Sequence, residues 1–358
     1  MKKIVLLSAL LPLALAAQAA SVTPGNLVIY RVGDGSASLA NTATSVFLDE
    51  YTPLGLFVQS FTMATSGGSA LTAVGNATTE GILSLSRTGG RVIFTGYRAD
   101  SGSANPSTTL PANNPRVIGT LAWNAGTYDT SIGVTDATGT IRSATSTDGS
   151  SLFYAGTSGS VRYVGAPGAA STSVVIDARN SRQVLLNGSE LLASNGSTAV
   201  ANKVQSYGLL PTGITVPAPV VTLATTDAVN GFALFDLNAS VAGADTLYAL
   251  STVESLLRKY TFDGSAWTAS GSLSTTAANV AGVVSGRDVS LFLTTAGSLL
   301  GLTDTSGYGG TLAGSLNTLG TAGLNTAFRG IVVVPEPSTL ALLSLGLAGL
   351  VCFRRKSA

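Results

Sequence analysis

Residues 232–270 read FALFDLNASVAGADTLYALSTVESLLRKYTFDGSAWTAS. Four apolar runs stand in this stretch, at 232–237, 246–250, 256–262 and 267–270, with polar or glycine-bearing segments between them. Each run is short and rich in Leu, Phe, Tyr and Thr, which suits a pleated, half-buried strand. Asp263-Gly264, just before the last run, is a turn dipeptide. The stretch therefore predicts one sheet of four consecutive strands.

Parts of the same pattern recur along the chain. Ser151-Leu152-Phe153-Tyr154, Thr246-Leu247-Tyr248-Ala249 and Ser290-Leu291-Phe292-Leu293 share a polar-apolar-aromatic entry into a strand. Leu247 and Leu291 are 44 residues apart, and Leu152 and Leu247 are 95 apart, about twice that. A repeat of about 40–50 residues with four strands each is the pattern of a β-propeller. Strand pairs are also expected at 81–85 with 91–97, at 151–155 with 160–164, and at 289–294 with 298–302. Segments 183–186 and 190–193 flank Asn187-Gly188, read as a type I′ hairpin turn. The length available gives about seven blades. Strands at 26–31 (NLVIYR) and 330–334 (GIVVV) are expected to pair in one sheet and close the ring, which removes its edges. The rival all-β architectures are a parallel β-solenoid and tandem β-sandwiches. Segments 109–115 and 211–219 are either linkers or loops between blades.

Composition agrees with an all-β domain. Of 358 residues only 10% are charged, against about 25% in ordinary soluble proteins, yet 45% are apolar and 42 are Gly. Disorder would need low hydrophobicity as well. Histidine is absent and the single Cys is Cys352. A fold without disulfides must rest on its core, which this length permits. Outside the two ends the charge balance is slightly negative, so no basic surface for nucleic acid is expected.

The ends carry addresses. Met1-Lys2-Lys3 precedes an apolar run at 4–15, and Ala17-Gln18-Ala19 supplies small residues for signal-peptidase cleavage after Ala19 or Ala20. The apolar run is shorter than the roughly 20 residues a spanning helix needs. At the other end Val334 leads into Pro335-Glu336-Pro337, an apolar run at 340–353, and the basic cluster Arg354, Arg355 and Lys356. A basic cluster of this kind stays in the cytoplasm and holds a tail in the membrane. The layout divides the chain into a secretory signal (1–19), a β-rich extracellular domain (20–333) and a sorting and membrane segment (334–358). Helices are expected only in the two terminal signals.

This tail resembles the PEP-CTERM sorting signal. The resemblance covers about the last 25 residues and implies processing near Pro335-Glu336-Pro337 by an exosortase. It also implies passage through the inner membrane of a Gram-negative bacterium, with delivery to the cell surface or an exopolysaccharide matrix such as a biofilm.

The middle offers little chemistry. Without His, triads of the Ser-His-Asp kind are excluded, and without Cys in the domain so are thiolate and Cys/His zinc sites. Lys203 and Lys259 read as solvated surface residues. Asp49-Glu50, the only adjacent carboxylates, read as a solvated strand end with side chains on opposite faces. Asp34-Gly35, Asp148-Gly149, Asp263-Gly264 and the Asp304-Thr305-Ser306-Gly307 segment read as turns, lacking the oxygen density of a calcium loop. Tyr30, Tyr97, Tyr154, Tyr163, Tyr248 and Tyr260, with Trp123 and Trp267, read as packing between blades rather than as sugar-stacking platforms. No cofactor is expected. The chain reads as a non-enzymatic binding or structural protein of the envelope. The rival is an extracellular hydrolase or lyase acting on polysaccharide through carboxylate, Tyr and Arg chemistry. Three or more carboxylates or arginines around the central channel would favour the enzyme; Ser, Thr and aliphatics would favour binding.

Overall fold

The computed structural model describes residues 20–157 and 161–336. The apolar runs at 4–15 and 340–353 lie outside the described residues, as do Ala17, Ala19, Pro337, Arg354, Arg355 and Lys356. Among the described residues no helix is long and apolar enough to cross a membrane.

Among the described residues regular structure is β, apart from one 3-10 turn at Gly67–Ser69. The strands are, in chain order, β1 (Leu27–Val32), β2 (Ala43–Tyr51), β3 (Phe57–Thr62), β4 (Thr72–Val74), β5 (Ser84–Leu85), β6 (Val92–Tyr97), β7 (Arg116–Ala122) and β8 (Thr127–Val134). They continue as β9 (Ile141–Ser146), β10 (Leu152–Gly156), β11 (Val161–Val164) and β12 (Val174–Asp177). Next come β13 (Ser181–Asn187), β14 (Glu190–Asn195), β15 (Asn202–Leu209) and β16 (Ala218–Thr222). The stretch that opened the sequence reading is β17 (Val229–Phe235), β18 (Thr246–Ser251), β19 (Leu256–Phe262) and β20 (Trp267–Ser274). The last are β21 (Asn279–Ser285), β22 (Asp288–Thr294), β23 (Ser298–Asp304), β24 (Asn317–Thr321) and β25 (Ala327–Val333).

Strands β9 to β24 form four antiparallel sheets of four, each from consecutive strands. The remaining sheet has nine strands, with β25-β1-β2-β3 at one end and β4 and β5 with β6-β7-β8 at the other, joined where β2 also pairs with β4. The expected closure is present: Leu27 pairs with Val333, Val28 with Val332 and Ile29 with Ile331. The propeller-like arrangement follows from the first strand of each set. Gly330 N donates to Gly81 O (2.9 Å) and Ile82 N to Arg142 O (2.9 Å). Ser143 Oγ donates to Arg182 O (2.9 Å), and Phe232 N to Gln183 Oε1 (2.7 Å). Asn230 Nδ2 donates to Ala278 O (3.1 Å), and Thr294 Oγ1 donates to Arg329 O. These bonds join neighbouring strand sets in chain order, the last of them running from Thr294 at the end of β22 back to β25. The ring is tight. A Cβ on Gly330 would lie 2.3 Å from Gly81 O, and one on Gly231 would lie 2.8 Å from the Cα of Asn279.

Because successive strands alternate in direction, turns after the first and third strand of each set share one side. Val333 ends and Leu27 begins on that side too, so it is here called the exit side. Segment 109–115 precedes β7 within one sheet, and segment 211–219 leads into β16, whose first two residues it includes, within another, so both are connections inside a sheet rather than linkers. The Asn187-Gly188 hairpin is offset by one residue from the expectation. Asn187 pairs with Glu190, so Gly188 and Ser189 occupy the turn, with positive φ at Gly188 alone. That is the type II′ pattern.

Apolar side chains fill the space between neighbouring sheets. Tyr248 and Leu250 pack with Val280, Leu291 and Leu302, for example. Tyr30, Tyr97, Tyr154 and Tyr248 are buried, which supports the packing reading at about 1.5–3 kcal/mol for each large apolar side chain. Two expectations about charge fail. Lys203 and Lys259 are fully buried, and so are Asp49 and Glu50. Lys259 is held by Asp304 (2.9 Å) and Lys203 by the carbonyls of Ser197 (2.6 Å) and Thr225 (2.9 Å). Asp49 pairs with Arg31 (2.5 Å), while Glu50 accepts from Asn26 (2.6 Å) and Gln59 (2.6 Å). Burying a charge is costly unless it is paired or hydrogen-bonded: Lys259 and Asp49 have an ion-pair partner, and Lys203 and Glu50 are held by hydrogen bonds to neutral groups.

Candidate functional site

The inner strands open into a cavity of about 380 Å³ on the exit side. Its wall includes Leu83 and Leu85 at β5, Leu185 and Leu186 on β13, Phe232 and Leu234 on β17, Val280 on β21, and Ile331 on β25. The polar wall atoms are mostly engaged with the fold. Ser84 Oγ donates to Ala144 O (2.5 Å), and Gln183 Oε1 accepts from Phe232 N. Arg87, the only ionisable wall residue among those described, donates to Ser189 Oγ (3.0 Å) and is exposed. A funnel of this kind can hold a partly apolar ligand and orient it by one cation. Among its described lining residues there is no carboxylate pair and no nucleophile beside a base, and this aliphatic and Ser wall matches the description that favours binding at this end of the channel.

The opposite end of the inner strands is polar. Glu80, Arg142 and Arg329 are buried there, and Arg182 is half-buried. Arg329 donates to the carbonyls of Val74 (2.6 Å) and Gly75 (3.0 Å) and lies 3.7 Å from Glu80. Tyr97 Oη donates to Glu80 (2.7 Å), as does Val74 N (3.1 Å). Burial raises the Glu80 carboxyl above its usual range, against the pull of Arg329. Burial, reinforced by Arg182, lowers Arg142 to about 9. Arg142 donates to Ser181 O (2.7 Å) and to Asn180. Three arginines at these inner-strand ends meet the criterion that favours an enzyme, but Arg142 and Arg329 donate to backbone carbonyls that tie sheets together, and a single carboxylate stands among them. Sequence reasoning missed this cluster because its members are 40 or more residues apart and carry no local pattern.

Among the described residues no group of His, Cys, Asp and Glu could hold a metal ion. The Asp-Gly turns are as read: Asp34, Asp148 and Asp263 each accept from the Ser two residues on, as does Asp304.

The exit side also holds the two chain ends. Val334 is buried; its N donates to Asn26 O (2.9 Å) and its O accepts from Gly25 N (2.9 Å). Pro335 belongs to the funnel wall and lies close to Gly89, and Glu336 is exposed. At the other end Ala20 O accepts from Gln59 Nε2 (3.1 Å).

Comparison with known proteins bears on the fold and on the tail. The chain is similar in structure to a "putative 6-phosphogluconolactonase" from Bacteroides fragilis, with TM-score 0.50 and 10% identity over 82% of each chain. It is also similar to a chain of the nidogen/laminin complex, with TM-score 0.51 and 11% identity over 86% of this chain and 98% of that one. At such identity the likeness concerns the fold alone. No curated protein matches the sequence. Residues 333–356 match the PEP-CTERM protein-sorting motif, while no family model matches the middle of the chain. The C-terminal tail is thus a PEP-CTERM sorting signal, of the kind that marks proteins exported to the cell envelope or surface.

Proposed function

We propose that this is an exosortase-processed surface protein whose domain, residues 20–333, is a six-bladed β-propeller that binds an envelope component without transforming it. The strand pairings support six blades rather than the expected seven: residues 27–134, with β25, make two blades, and β9 to β24 make four. The signal at 1–19, cleaved after Ala19 or Ala20, and the retention cluster Arg354, Arg355 and Lys356 complete the export reading. The partner is an exopolysaccharide of the cell's own matrix.

One observation carries the binding reading. The funnel is walled by aliphatics, Phe and Ser with a single cation, Arg87, and no acid or base to turn a substrate over. The polysaccharide hydrolase alternative has no carboxylate pair in this cavity. The test is a glycan array combined with a hydrolase and lyase screen on the purified full-length chain. Binding without turnover is expected, and Arg87→Ala should weaken it about tenfold with an unchanged melting temperature. Chain-shortening of any bound glycan would overturn the reading.

A further inference from the structure

Exposed large apolar side chains are distributed unevenly over the described residues. All but three, Leu110, Val253 and Leu324, lie in the turns of the exit side or within three residues of them. Leu54 (78% exposed), Leu56 and Phe57 cap the β2–β3 hairpin. Ile214 (87%) and Val216 (93%) project from the β15–β16 loop, and Val284 stands at the end of β21. These positions come from separate sheets around the ring, so they crown one face rather than form one core defect. Apolar crowding of this kind marks an interaction surface.

The chain ends say what covers it. Val334 is fixed in the fold, and the apolar run begins at residue 340. Extended chain spans at most about 3.3–3.6 Å per residue, so this tether is roughly 20 Å at most. The N-terminal run ends at residue 15, five residues before Ala20, whose carbonyl is bonded to Gln59. Both tethers leave from the exit side. Exposed charge on this side includes Arg87 and Arg287 but also Asp148, Asp236 and Asp263. There is no basic excess to seek anionic headgroups.

We infer that the exit side is a membrane-docking face: while the precursor is tethered, its apolar crown sits in the interfacial zone of the bilayer, and the funnel opens toward the lipid. The inference rests on the export reading above. Burial of such a face reaches about 5–10 Å into the headgroup and acyl boundary. Processing of the tail then releases the face and uncovers the funnel.

The test uses the full-length chain carrying Cys352→Ser and one new cysteine for a fluorophore: Leu56→Cys or Ile214→Cys on the exit side, Val253→Cys or Leu324→Cys on the other. Each protein is reconstituted in phosphatidylcholine vesicles containing spin-labelled lipid quenchers. The expected result is co-flotation, with at least twofold stronger quenching at 56 and 214 than at 253 and 324. Replacing phosphatidylcholine in part by phosphatidylglycerol should not strengthen it. Flotation with equal or absent quenching at all four positions leaves the tether standing and overturns the docking face. A chain that does not float overturns both. The combined Ile214→Ser and Val216→Ser variant should reduce quenching at 56 with no change in melting temperature, since both side chains are already in solvent.

Discussion

At the residue scale the most consequential group is Lys259 with Asp304. The carboxylate accepts from Tyr248 Oη (2.6 Å), from Ser306 N (3.0 Å) and Oγ (2.6 Å), and from Lys259 Nζ (2.9 Å); both charged side chains are inaccessible. Burial alone would push the Asp304 carboxyl up, but the hydrogen bonds from Ser306, Tyr248 and Lys259 outweigh it and hold the group below its ordinary value. The stability this contributes is therefore present at neutral pH and is lost as pH falls through that depressed value. Removing the lysine leaves an unpaired buried carboxylate, a change that costs about 3–5 kcal/mol. Lys259→Met should lower the urea midpoint accordingly at pH 7, and Lys259→Met with Asp304→Asn should recover a good part of the loss. The deficit of the single variant should shrink toward pH 4, because its carboxyl then takes up a proton that the paired one refuses. A Lys259→Met protein as stable as the parent at pH 7 would show the pair to be inert. The sequence could not announce this arrangement. Lysine in a strand is usually solvated, and its partner lies 45 positions away on a neighbouring sheet. The aromatic residues were easier to read, because large ring area in a short strand has few outlets other than packing.

At the element scale, what sequence revealed depended on local signals. The three apolar-aromatic entries at Leu152, Leu247 and Leu291 proved to be β10, β18 and β22, each the second strand of its sheet. The equivalent strand β14, Glu190–Asn195, has two leucines but no aromatic, so the repeat was not visible there. Strand β9 (IRSATS) is so polar that only its pairing identifies it. Closure by β1 and β25 was legible because both are dense β-branched runs at the two ends of the domain. The joint is sensitive where Gly330 meets the next inner strand. A methyl group there would fall 2.3 Å from both Gly81 O and Leu83 N, neither of which can yield without moving backbone. Gly330→Ala should cost about 1–3 kcal/mol, the usual range for overpacking. Gly297→Ala, where nothing stands within 4 Å, should be neutral within about 0.5 kcal/mol. Equal unfolding midpoints for the two variants would mean that the ring does not close through this contact.

At the scale of the whole molecule, on the six-blade reading proposed above, length divided by period overcounts the blades. The first two take residues 27–134, swollen by long loops such as the one between β6 and β7, so an average period does not apply there. The sorting signal at the C-terminal end was legible because it acts as linear chemistry, whereas the funnel depends on strands far apart in the sequence. The fold in turn constrains how the sorting signal can be used. Val334 is buried and doubly hydrogen-bonded to the start of β1, and Pro335 is packed into the funnel wall, whereas Glu336 is exposed. A processing enzyme acting on the folded domain cannot reach the peptide bonds before Pro335 without unzipping the strand that closes the ring. Cleavage should therefore fall at or beyond Glu336. Intact-mass measurement on surface material from the native host should give a chain starting near residue 20, lacking the 340–353 run, and ending no earlier than Pro335. In a host without an exosortase the tail should remain and the chain should sediment with membranes. A mature C-terminus at or before Val333 would require the closing strand to open during processing, and would contradict the order in which this fold must form and then be cut.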